Sequence, residues 1–183
     1  MAIKTFTTGE VLSASDTNTY LANSGLVYIN QFTLSGGTTN LTSIFSSTYD
    51  NYRVIVSGVI VGAAVECTFQ MLTGTTPATG ANYNSFRWTT AGAAVQKTAQ
   101  TTANIITAGT TAQSWAFEVF NPAIATKTTV NSSGQYGANA DVAYPELVNA
   151  VHTLATAYDG MSMIAPGTTW SAGKVTIYGY RKP

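Results

Sequence analysis

From Leu26 to Tyr180 the chain is a succession of short apolar or alternating runs, each cut off by glycine, proline or asparagine. That punctuation constrains the fold more than any other feature. Alternation with a period of two puts one face of a strand in a core and the other outside it, and turn residues every few positions reverse the chain before a helix can complete. Val27–Leu34 alternates and stops at Ser35-Gly36-Gly37, and Arg53–Val61 is an apolar run suited to a central strand. Cys67–Leu72, Tyr83–Trp88 and Ala103–Thr107 read as further strands, with a turn at Gly74–Pro77. Ser114–Phe120 alternates cleanly and ends at the turn signal Asn121-Pro122. Thr126–Asn131, Leu147–Leu154, Met161–Ile164 and Lys174–Tyr180 complete the set, while Leu41–Phe45 reads as one helical turn. Thr98–Thr111 is rich in Thr and Ala and its boundaries are indistinct. The fold class expected is all-β, a jelly-roll-like antiparallel β-sandwich over residues 26–183.

Residues 1–25 differ. Ser13 or Ser15 can cap a helix start, and Gly25 stands where a helix C-cap is wanted. The short helix between them brings Tyr20 and Leu21 near Val11 and Leu12, yet it is too short to persist alone in water. It needs something to dock on, either its own sandwich or another protein.

Composition narrows the partners. Of 183 residues only 9% are charged, eight basic and eight acidic, against roughly 25% in an average soluble domain. The cations are scattered, so the phosphate-neutralising cluster of a nucleic-acid binder is lacking. No basic amphipathic face and no apolar run of membrane-spanning length occurs, so neither nucleic acid nor membrane insertion is expected. A neutral surface built from Thr, Ser, Asn, Gln and Gly resists self-association weakly, which points to contact with other subunits. The start, Met1–Phe6, has no apolar signal core, so synthesis in the cytoplasm without processing is expected. The single cysteine, Cys67, allows no intrachain disulfide and reads as a small buried hydrophobe.

No constellation for catalysis stands out. His152 is the only histidine and lies mid-strand, which excludes a multi-histidine metal site, and no Gly-x-Ser-x-Gly elbow is present. Glu10, Asp16, Asp50, Glu66, Glu118, Asp141, Glu146 and Asp159 are spread out, without the close pair of a glycosidase or the spacing of a calcium loop. Catalytic residues, metal and cofactor are all expected to be none. Tyr83, Phe86, Trp88 and Trp115 offer flat faces to a sugar ring or a partner, although large aromatics fill cores and interfaces equally well. Tyr83, Trp88 and Trp115 are therefore candidate ligand or interface aromatics.

Three stretches carry a resemblance. Phe6-Thr7-Thr8-Gly9-Glu10-Val11-Leu12-Ser13-Ala14-Ser15-Asp16-Thr17-Asn18-Thr19-Tyr20-Leu21 resembles a segment at the start of tail-associated and fibre proteins of tailed bacteriophages, with Ser13 in a usual Thr place and Thr17 where Leu is frequent. Ile44–Val56, and Trp170–Arg181 with its terminal strand ending in Tyr-Gly, are similar to stretches of small phage structural proteins. The resemblance implies a virion component, often a homotrimer, docked on other virion proteins through an arm in which Phe6, Val11, Leu12, Tyr20 and Leu21 supply the contacts. It does not say which part of the particle. A tail fibre, spike or adhesin-like protein facing a host-surface glycan or receptor is the leading expectation. A capsid decoration (cement) protein is the alternative, and a glycan-binding or depolymerase module a distant one.

Overall fold

The structure, a computed structural model, describes residues 7–11, 13–16, 25–90, 92–139 and 142–182. It is all-β. The strands are β1 (Leu26–Thr33), β2 (Thr38–Leu41), β3 (Tyr49–Val61), β4 (Val65–Thr73), β5 (Thr76–Pro77), β6 (Tyr83–Thr89) and β7 (Gly92–Gln100). They continue with β8 (Ala103–Ala108), β9 (Gln113–Phe120), β10 (Thr128–Asn139), β11 (Val142–His152), β12 (Gly160–Ile164) and β13 (Trp170–Arg181). Ahead of them lies a single helical turn, α1 (Ala14–Asp16).

The strands pair antiparallel into two unequal sheets. An eight-stranded sheet runs β1-β13-β3-β9-β10-β11-β6-β7, and a five-stranded sheet runs β2-β12-β4-β5 with β8 also on β4. Alternation sets which face is buried. In β9, Trp115, Phe117 and Val119 point inward while Ala116, Glu118 and Phe120 stay partly outside. Tyr52, Val54, Val56, Phe117 and Val130 of the large sheet meet Phe69, Met71, Ile105, Ile106, Met161 and Met163 of the small one in one buried cluster. β8 is buried along its whole length; it pairs with β4 in the small sheet and packs on β10 and β11 of the large one.

Two tyrosines fasten the layers. The buried Tyr52 hydroxyl accepts from the Ser46 amide at 2.7 Å and donates to the Ser46 carbonyl at 2.9 Å. Tyr83 does the same between β6 and β4: its hydroxyl accepts from the Met71 amide and donates to the Ala78 carbonyl, both at 2.9 Å. Burial raises the pKa of both phenols, which keeps them as donors.

Leu41–Phe45 is not helical. Leu41 closes β2, and the amides of Ile44 and Phe45 both donate to the Asp159 carbonyl, at 2.9 and 3.0 Å. Long-range bonds to that carbonyl replace the local ones a helical turn would make. Pro145 sits inside β11, opposite Gln135 of β10. Pairing with β6 begins one residue later, at Glu146 opposite Thr89, so the proline meets no ladder on that side.

Of the arm, Ser13 directly precedes α1, and Gly25 has a left-handed φ of 93°; the expected helix between Asp16 and Gly25 lies outside the described residues. Thr7–Val11 and Ser13–Ser15 are exposed, Val11 at 85%. Phe6, Leu12, Tyr20 and Leu21 lie outside the described residues.

Candidate functional site

Four charged side chains form a continuous chain across the gap between the sheets. It begins at Glu146 of β11, which has no exposed surface. Its carboxylate accepts from the Thr107 amide at 2.7 Å and the Thr107 hydroxyl at 2.9 Å. Arg87 of β6 lies 3.5 Å from the same carboxylate, and one of its nitrogens also donates to the Thr107 hydroxyl at 3.0 Å. The other guanidinium nitrogen reaches Glu66 of β4 at 2.9 Å. Glu66 is then bonded by Lys97 of β7 and by the Asn104 amide of β8, the latter at 3.1 Å. Burial pushes the Glu66 carboxyl up, but the bonds and charges of Lys97 and Arg87, with the Asn104 bond, outweigh it and hold its pKa below the ordinary value.

The inner end of this chain is closed and the outer end is not. Glu66 and Lys97 stand beside an open cleft of about 480 Å³, lined also by Thr68, Gln100, Asn104 and Pro166. The Gln100 amide nitrogen is tied to the Thr98 carbonyl at 2.8 Å, which leaves its oxygen as an acceptor. Carboxylates far apart in the sequence thus converge on one arginine. Of these charges only Arg87 lies inside a run that the sequence marks as a strand; Glu66 and Glu146 each stand one residue ahead of such a run.

The candidate aromatics separate. Tyr83 is wholly buried and Trp115 is 5% exposed, so both belong to the core. Trp88 is on the outer face of the large sheet with Phe86 and Leu147, all between 42% and 48% exposed. Leu147 lies directly opposite Trp88 in the ladder. A groove of about 220 Å³ runs beside Phe86, edged by Asn84, Gln96, Thr129, Asn149 and Val151.

The remaining reactive groups are enclosed. His152 packs edge-on against Tyr83 and Tyr158, with its Nδ1 3.4 Å from the Tyr158 hydroxyl. Desolvation lowers its pKa, against a smaller opposing bond with the Leu154 backbone, so it is neutral in the fold. Burial pushes the Cys67 thiol up to about 12, far from the thiolate that nucleophilic or redox chemistry needs. Among the described residues no cluster of His, Cys, Asp and Glu is arranged to hold a metal ion.

Compared with protein-family models, curated proteins and solved structures, the chain matches none.

Proposed function

We propose that the chain is a structural component of a tailed-phage particle, a tail-associated fibre, spike or adhesin-like protein. It docks through its N-terminal arm, assembles as a homotrimer and acts by binding, without catalysis. The observation that carries this reading is the exposure of Val11, at 85%. An apolar side chain in a segment too short to fold alone gains nothing from water, and covering it would contribute about 1.5–3 kcal/mol. The sandwich does not cover it, so another protein is its natural partner. The low charge of the chain and the apolar outer face around Trp88 and Leu147 agree with a subunit that spends much of its surface on neighbours.

Immunogold labelling of intact particles tests the assignment, paired with particles assembled from chain lacking residues 1–25. Gold on the tail that disappears with the truncation is the expected result. Gold spread over the head would replace the fibre reading with a capsid-decoration one. Particles without gold would overturn both.

A further inference from the structure

A buried charge chain needs a reason. Replacing such a network by well-packed apolar residues is often neutral or stabilising, so its presence is weak evidence for a stabilising role. Here a chain with only 9% charged residues commits Glu146, Arg87, Glu66 and Lys97 to one line that ends at an open cleft. Joining the sheets does not require it, since Ile105, Ile106, Phe69 and Met71 already do so with apolar surface.

The charges also say what the cleft accepts. Two carboxylates and two cations balance, so the line has no net charge. An anion would meet Glu66 at the rim, and a cation would find that carboxylate already neutralised by Arg87 and Lys97. What the rim offers is an acceptor beside a donor, the Glu66 carboxylate and the Lys97 ammonium, bonded to each other and each with hydrogen-bonding capacity left, with the Gln100 oxygen as a further acceptor; Asn104, 3% exposed, holds Glu66 from beneath. Neighbouring hydroxyls on a ring each donate and accept at once, and they fit this alternation. Pro166 and the stem of Thr68 give the ring an apolar wall. A cleft of about 480 Å³ falls in the usual range for small-molecule sites, roughly 300–1,000 Å³.

We propose that the cleft between β4, β7 and β8 is a carbohydrate-binding site for a neutral pyranose, gripped at adjacent hydroxyls by Glu66, Lys97 and Gln100, with Asn104 holding Glu66 in place. It belongs to the sandwich itself and does not depend on the particle reading.

Saturation-transfer NMR and calorimetry on the full chain would test it, using glucose, galactose, mannose, N-acetylglucosamine and their disaccharides, with glucuronate as a charged comparison. A neutral sugar should bind saturably with Kd of roughly millimolar or tighter, and glucuronate more weakly. Asn104→Ala should weaken binding about tenfold or more, a loss of about 1.4 kcal/mol. Should that variant unfold, Gln100→Ala is an exposed rim change and should still weaken binding several-fold. Absence of saturable binding by every neutral sugar would overturn the proposal. So would binding that survives the rim variants but is lost with Phe86→Ala, which would move the site to the groove on the outer face.

Discussion

Glu146 shows how much one side chain can hold together in this fold. Its carboxylate has no exposed surface and takes bonds from Thr107 and Arg87. Glu146→Ala would leave the Thr107 amide without its acceptor and Arg87 short of a counter-charge, at a cost of about 3–5 kcal/mol. A urea titration should show the midpoint collapse, whereas Glu146→Gln, which keeps an acceptor for Thr107, should lose less. The two depressed pKa values make stability depend on pH with one sign. His152 is held below its ordinary 6.5 and Glu66 below its ordinary 4.5. In each case the unfolded chain binds the proton more readily, so the stability is fully present above those values and is lost as pH falls through the folded ones. Urea midpoints should therefore decline below about pH 6.5 and again below about 4.5. His152→Gln should flatten the first decline only. A midpoint that rises on acidification would contradict both assignments.

At the scale of strands, legibility followed pattern. Arg53–Val61 and Ser114–Phe120 were readable because their periodicity is that of the sheet they enter, and both became inner strands, β3 and β9. β7 was not readable: Gly-Ala-Ala-Val-Gln-Lys-Thr-Ala-Gln has no apolar alternation and only Val95 and Thr98 as β-formers, and its extended form comes from pairing with β6. The second half of β10 is similar, a polar and glycine-bearing stretch extended by its ladder with β11. The charge chain was hidden for a related reason. Its members come from β4, β6, β7 and β11, and only the register that brings those strands together makes them neighbours. The Tyr-Gly ending of β13 has a packing cause. A Cβ at Gly179 would fall 2.5–2.7 Å from the Tyr49 ring. Gly179→Ala should then cost about 1–3 kcal/mol through forced displacement of that ring. In a Tyr49→Ala background the same change should cost much less, and thermal melts of the four variants would measure the coupling. Equal costs in both backgrounds would mean the ring is not what excludes a side chain there.

Among the described residues one face of the whole molecule stays uncovered. Across the outer side of the large sheet, Ile55, Ala116, Ser133, Leu147 and Trp88 lie in register on neighbouring strands. The adjacent row runs Tyr28, Tyr178, Arg53, Glu118, Asn131, Asn149 and Phe86, with an Arg53–Glu118 pair of 2.9 Å in its middle. Tyr28, Ile55, Phe86, Trp88 and Leu147 are each more than a third exposed. Exposed apolar side chains grouped at both ends of a sheet face suit an interface, and a chain with zero formal charge has no long-range repulsion to keep copies apart. Light scattering at micromolar concentration should report an oligomer, a trimer on the proposed particle reading. Trp88→Glu combined with Leu147→Glu places like charges directly opposite each other in the ladder, and should reduce the mass to that of a monomer while circular dichroism keeps its β signature. Removing residues 1–25 should leave both the oligomer and the melting temperature nearly unchanged, because the described residues Thr7–Val11 and Ser13–Ser15 are exposed and add nothing to the core. A wild-type monomer would defeat the interface. Loss of folding on truncation would instead show that the arm belongs to the sandwich and not to a partner.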